Sequence, residues 1–369
     1  VKVARTNIDR LVLLGTNDTL IWGMTNAERI ERMVVESAQK GLRVAADNSL
    51  AVNLGFVFDP ILLREVLRNP HLTFVQNGEL LVGQMPPNEV DIHPLQQGGL
   101  QIIELRDGHK VYNEQLRKLE TPYAERLTPQ TRRSIERRSY YGAYKGVTDI
   151  LTKYLWPELA LWLTRGAAQI GMTPNMITAI GAILCIAATF LFSQGLYWTG
   201  MLAGFGFMVL DTVDGKLARC TITSSKWGNI FDHGIDLIHP PFWWYAWAVG
   251  LSAWGQQLSV SIFWAVMGII VGGYVVQRLI EGVFMRSFEG MHIHVWQRFD
   301  TWFRLITARR NPNMVILFVS LLAGRPDLGL IALAWWTVIS LIVHAVRLLQ
   351  AYGEKRAGRP IVSWMEARA

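Results

Sequence analysis

Four aspartates stand in one stretch, DTVDGKLARCTITSSKWGNIFDHGID, over residues 211–236. Asp211 and Asp214 are three apart and Asp232 and Asp236 four apart, so on helices each pair shares one face. Gly215, Ala218 and Gly228 remove side-chain bulk where two helices would approach each other. Folding the polar break back aims four carboxylates at one spot. Four such groups do not stay ionised together in a partly dry pocket without a compensating charge. A hard divalent cation, Mg2+ or Mn2+, supplies it, because such ions take oxygen ligands and are commonly shared with substrate phosphates. The chemistry is then metal-assisted attack on a pyrophosphate, with a remaining carboxylate accepting the proton of an incoming hydroxyl. The alternative is a set of helix-end acids paired with Lys216, Arg219 and Lys226, which does not require this spacing.

The spacing D-x2-D-G-x2-A-R-x8-G-x3-D-x3-D is met without a gap by Asp211, Asp214, Gly215, Ala218, Arg219, Gly228, Asp232 and Asp236. It resembles the signature of the CDP-alcohol phosphotransferase family, and MTPNMIT at 172–178 resembles that family's lead into its first membrane helix. The resemblance covers roughly residues 148–350. It implies six membrane helices, usually a homodimer, and transfer of a phosphate-linked group from a CDP-activated donor to an alcohol, releasing CMP. Carried over by position, Asp211, Asp214 and Asp232 would be metal ligands. Asp236 would be the base and a further metal contact. Asp211, Gly215, Ala218 and Gly228 would border the cytidine nucleotide, with Arg219 on its phosphate or holding the aspartates. The expected activity is phospholipid-type synthesis: CDP-diacylglycerol donating to a polar alcohol, or a CDP-linked polar alcohol donating to a lipid or a second alcohol. Two rival readings are a polytopic ion-coupled transporter, which would use its acids near the membrane midplane, and a catalytically inactive scaffold.

Other residues carry weaker signals. Arg309 and Arg310 could clamp a phosphate on the acceptor, because guanidinium forks match phosphate oxygens, and the resemblance extends to users of inositol phosphate and glycerol phosphate. Ordinary anchoring by positive charge explains the same two residues. His233 and His239 flank Asp236 and read as satisfied helix histidines or as proton carriers. His292 and His294 read as the polar face of an interfacial segment, and Thr148, Asp149 and Lys153 as interface anchors within reach of the nucleotide.

The elements that must position these residues are apolar runs at about 174–194, 197–213, 230–252, 258–284, 312–324 and 328–350, each near bilayer length except the fifth. The breaks at 194–199 and 253–259 carry no charge. Those at 214–229 and 285–311, and the tail, carry Lys and Arg. By the positive-inside rule both termini and the aspartates face the cytosol, in a multi-pass protein of the cytoplasmic (inner) cell membrane. Residues 148–170 have Leu151, Leu155, Leu159 and Trp162 at helical spacing with charges between them, and read as an amphipathic interfacial helix that Pro157 breaks or kinks. The expected fold is thus an all-α membrane domain of six transmembrane helices over 148–369, with lipids as its surroundings.

Composition agrees. The chain has 369 residues, 51% hydrophobic, with fifteen Trp, a residue that gathers at membrane interfaces. The mean hydropathy is +0.21. The net charge of +7 sits largely beside apolar runs, so membrane orientation explains it and no nucleic-acid partner is expected. The front part reads as a small cytosolic α/β domain over 1–113, with strands at 11–15, 42–46, 51–56, 73–75 and 80–82 and helices at 27–39 and 60–67. Residues 114–147 read as a basic helical linker. The front domain loosely resembles the sugar-nucleotidyltransferase fold. Its loop GTNDTLIWG at 15–23 has no basic residue and a glycine only at each end, so it lacks the cradle a triphosphate needs, and a non-catalytic module is expected.

Overall fold

Short apolar runs punctuated by Gly, Asn and Asp build a mixed sheet at the front of the chain. The structure, a computed structural model, describes residues 8–91, 93, 101–105, 111–113 and 116–366. The other positions of the expected front domain and linker lie outside the described residues. The strands are β1 (Leu11–Leu14), β2 (Ser49–Asn53), β3 (Phe56–Phe58), β4 (Leu72–Gln76), β5 (Glu79–Met85) and β6 (Gln101–Glu104). Five of them form one sheet in the order β1-β2-β5-β4-β6. The β1–β2 and β4–β6 pairs are parallel and the others antiparallel. Asn77 and Gly78, both at positive φ, make the two-residue turn between β4 and β5. Helix α1 (Asn26–Gln39) starts on a Thr25–Glu28 capping box, and α2 (Pro60–Arg68) on the Asp59 side chain with Pro in the first turn. Both pack on the sheet through Ile30, Val34, Val52, Leu63 and Leu81.

Two expected elements differ. The run at 42–46 is not a strand. Its backbone is satisfied by side chains instead: Arg10 donates to the Ala45 carbonyl at 2.6 Å and Ala45 N–H donates to Gln84 at 2.7 Å. Among the described residues, the stretch 114–147 is helical only in α3 (Arg132–Gly142). Before α3, strand β8 (Lys118–Glu120) pairs with β7 (Val111–Asn113), and β9 (Ala124–Arg126) pairs with β3. Tyr123, Ala124 and Leu127 are buried there, so tertiary pairing overrides a basic composition that reads as helical linker.

The rest is helical: α4 (Ile150–Tyr154), α5 (Pro157–Gln169), α6 (Pro174–Ser193), α7 (Tyr197–Cys220), α8 (Lys226–Gly250), α9 (Val260–Ser287), α10 (Arg298–Phe303), α11 (Arg310–Leu322) and α12 (Pro326–Arg356). The expected amphipathic helix is two helices, parted where Pro157 opens α5, a position that needs no intrahelical N–H. It buries Ala160, Leu161 and Thr164 and exposes Leu159, Trp162 and Leu163. Six helices coincide with the apolar runs. Among the described residues, three of them (α6, α9 and α12) are long and apolar enough to cross a membrane. α7 and α8 have the length but carry the acids, and α11 has 13 residues. The charge-poor turns meet at one end of the bundle: Trp254 donates to the Gly195 carbonyl and Gln256 to the Gly324 carbonyl, each at 2.8 Å. α6 packs along both α7 and α8.

Candidate active site

Asp211 and Asp214 sit toward the C-terminal end of α7, and Asp232 and Asp236 in the first half of α8. The chain reverses over 221–225, where Ile222 has φ 53° and the Ser225 hydroxyl caps α8 by accepting from Gly228 N–H at 2.9 Å. This brings carboxylate oxygens of Asp211, Asp232 and Asp236 within 4.8 Å of one another. Three convergent carboxylate oxygens are the donor set a hard divalent cation prefers, so these residues fit the expected metal. Asp214 stands apart from that set. It accepts from the Thr178 hydroxyl of α6 at 2.6 Å and from Gly215 N–H at 2.5 Å, behind the cluster.

The two arginines expected to act together are split. Arg310, at the first turn of α11, donates one Nη to Asp211 and the other to Asp236, both at 2.6 Å, and lies 4.8 Å over the Phe207 ring. Its side chain is 11% exposed, against 44% for Asp236, so the fork is buried and the acid faces outward. Arg309 turns instead to Glu281 of α9 at 2.5 Å. Glu281 also meets Arg278 at 2.8 Å and His294 at 3.3 Å. Glu281, His294 and His344 have the spacing of a second metal triad, but two guanidinium groups already face the one carboxylate, which leaves the cluster positive. Among the described residues, buried Arg304 Nη1 and Arg309 Nε find no hydrogen-bond partner. His294 is therefore not on a polar face: it is buried beside Glu281, and burial holds its imidazole neutral. His292 is likewise pushed down, to about 4, by burial and then by Arg117.

The remaining expected residues take varied places. His233 is exposed, 3.5 Å from Asp232. His239 is buried between the Phe207 and Trp243 rings and bonds the Ile235 carbonyl through Nδ1 at 2.7 Å, away from Asp236. Gly228 serves a close approach, though to α6 rather than α7: a Cβ there would lie 2.8 Å from Asn175 Oδ1. Arg219 lies over Gly215 and donates to the Ala143 carbonyl at 3.0 Å. Lys216 is buried against the Tyr144 ring. Among the described residues neither of these, nor Lys226, forms an ion pair with the aspartates, which removes the helix-end pairing alternative. Asp149 caps α4, and Thr152 accepts from Asn311 at 3.2 Å, tying α4 to α11 beside Arg310.

Three contributors carried little sequence signal. Thr178 and Lys145 lie far from the motif in sequence. Glu281 was visible only as an acid inside an apolar run. Lys145 is pulled down to about 8, chiefly by burial, then by Arg117 and Arg219, with Asp232 and Asp211 opposing. An apolar groove of about 1170 Å³ opens between α6 and α8, running from Asn175 and Trp227 past Ile186, Phe190, Ile238 and Phe242, with Phe231 and Ile235, the chain neighbours of Asp232 and Asp236, in its lining.

Residues 171–342 match the family model for CDP-alcohol phosphatidyltransferase. Cholinephosphotransferase 1 of Homo sapiens is 29% identical over 140 residues, 35% of this chain and 32% of that one. Archaetidylinositol phosphate synthase of Pyrococcus horikoshii is 26% identical over 188 residues, 50% of this chain and 88% of that one. The chain spans about a third of the length of the cholinephosphotransferases it matches. A crystal structure of Mycobacterium tuberculosis phosphatidylinositol phosphate synthase with CDP-DAG bound aligns at a TM-score of 0.41 and 17% identity, over 52% of this chain and 93% of that one. Over residues 171–342, which hold the aspartate motif, the chain is similar to the CDP-alcohol phosphatidyltransferase family.

Proposed function

We propose that the chain transfers a substituted phosphate group from a CDP-linked lipid to an alcohol that itself carries a phosphate, releasing CMP. The observation that carries the reading is the convergence of Asp211, Asp232 and Asp236 at the turn of the family motif. These three residues, backed by Asp214, would hold the divalent metal. When bound, that metal supplies positive charge to the pyrophosphate. The chain's own residues do the rest. Gly215 and Ala218 would let the nucleotide approach α7, Gly228 sets α8 close against α6, and Arg219 stands over Gly215 where a phosphate would pass. The acceptor hydroxyl gives its proton to the Asp236 carboxylate as its oxygen bonds the distal phosphorus. The phosphorus–oxygen bond to CMP breaks, and CMP leaves with that electron pair.

Two features favour this choice of substrates. The groove between α6 and α8 has an almost wholly apolar lining that includes Phe231 and Ile235, the chain neighbours of Asp232 and Asp236, which suits the chains of CDP-diacylglycerol better than a polar CDP-alcohol. Arg278, Arg304 and Arg309 leave a net positive cluster one residue from Arg310, which suits a glycerol phosphate or inositol phosphate acceptor. Arg310 would leave Asp236 for the acceptor phosphate, freeing the base. The proposal includes six spans with both termini and the acids cytosolic in the cytoplasmic membrane, a homodimer, and a front domain without catalysis of its own.

The test is CMP release by purified full-length protein given CDP-diacylglycerol and labelled glycerol phosphate or inositol phosphate. Release should need Mg2+ or Mn2+ and stop in chelator. CMP release undiminished by excess chelator would remove the metal from the proposal. Transfer only from a CDP-linked polar alcohol would overturn the donor, and ion-coupled transport without any CMP would overturn the whole reading.

A further inference from the structure

A second cavity, of about 710 Å³, lies between α3 and α5, well apart from the motif. Arg132, Arg133, Glu136, Trp162, Arg165 and Gln169 line it. Three arginines thus face one glutamate. Glu136 is 2% exposed and fully engaged: Arg132 Nε lies 3.1 Å and Arg165 Nε 2.8 Å from its carboxylate, and Trp22 N–H donates to it at 3.2 Å. One carboxylate cannot neutralise three guanidinium groups, so the cavity keeps a net positive charge, and exposed Arg133 has no acidic partner among the described residues. A cavity with spare guanidinium donors matches a phosphate.

The rim says which phosphate. Trp162 lines the cavity and is also 67% exposed. It belongs to a run of exposed apolar residues along the same segment, with Leu155, Leu159, Leu163 and Ile170. The opposite face of α5 is buried, and Trp156 just before it donates to Thr212, next to Asp211, at 3.0 Å. α5 therefore lies across the aspartate end of the bundle, with its apolar face turned outward beside a cationic cavity. A free phosphate has no use for that face. An acidic protein segment would meet tryptophan, leucine and isoleucine where it needs cations.

We propose that this cavity binds the phosphate headgroup of an anionic membrane phospholipid, with the acyl chains lying along the outer face of α5. The bound lipid bridges α3 to α5. Through Glu136 and the Trp22 N–H it also braces the front domain against the bundle.

The test uses full-length protein in detergent and titrates phosphatidylglycerol, phosphatidylcholine and inorganic phosphate, following the unfolding midpoint and lipid retention by native mass spectrometry. Phosphatidylglycerol should raise the midpoint, and the other two should not. Arg133→Ala removes no ion pair among the described residues and should weaken phosphatidylglycerol about fivefold, the usual worth of one basic residue at an anionic surface. Trp162→Ala should weaken it without changing the charge. Equal response to phosphatidylcholine, equal binding of inorganic phosphate, or unchanged affinity in both variants would each overturn the assignment.

Discussion

Arg310 touches Asp211 and Asp236 together, yet these two acids have different work under the proposed reaction. Asp236 is the more open, and an attacking hydroxyl can reach it. Asp236→Asn keeps shape and removes basicity, so turnover should fall by about two to four orders of magnitude while donor binding is largely kept. Asp211→Asn should weaken metal and donor binding together, because it deletes a charge from the cluster. Donor affinity and turnover measured at several metal concentrations separate the two. Full rescue of Asp236→Asn by added metal would make Asp236 a ligand and send the search for a base to exposed His233. Lys145 offers a pH handle nearby. With its ammonium brought down to about 8, its charge is present below that pH and lost above it. At pH 8 about half of it is free amine, against well under about 1% of an ordinary lysine. Acylation read by peptide mass spectrometry should mark Lys145 ahead of other lysines with a midpoint near pH 8, and a midpoint above 10 would refute the shift.

At the scale of elements, the loop that looks like a failed phosphate cradle has a structural task. Ile21, Trp22 and Met24 are buried in the same cluster as Tyr140, Trp156 and Ala168. Gly23 has φ 77°, and a Cβ there would come within 2.6 Å of the Ala168 carbonyl of α5. Both the left-handed backbone and the contact require glycine. Gly23→Ala should loosen the docking of the front domain by about 1–3 kcal/mol. Hydrogen exchange should then rise over 21–24 and at the end of α5 while α6–α9 stay protected. Gly41→Ala, at φ 82° with open space around it, isolates the backbone cost alone and should leave the docking intact. Similar exchange in both variants would mean that the close approach at Ala168 carries no weight.

For the whole molecule, the uncharged turns at 194–199 and 253–259 and the turn bearing the balanced Arg325–Asp327 pair lie at one end, and the four aspartates, Arg310 and the front domain at the other. Arg32 of α1 donates to the Thr221 carbonyl at 2.9 Å, so the front domain touches the very turn that brings the aspartates together. An even number of crossings follows if α7, α8 and α11 span as α6, α9 and α12 can. Tags at the N-terminus, within 216–227 and at the C-terminus should all report cytosol, and tags at 194–199 or 253–259 the outside. A cytosolic signal from 253–259 would break the six-span count.

The sequence by itself determined what is local or repeated at fixed spacing. The four aspartates and their small neighbours, the helical runs and the break at Pro157 depend on periodicity and on nearby residues, and these are legible without a fold. Tertiary structure decided the partnerships. Arg310 meets acids 74 and 99 positions away, Thr178 draws Asp214 out of the carboxylate set, Glu281 takes Arg309 from its neighbour, and residues 124–126 leave an apparent helix to pair with 56–58. In each case a buried charge or an unpaired strand is satisfied by whichever partner the fold brings within reach, and no local pattern encodes that choice.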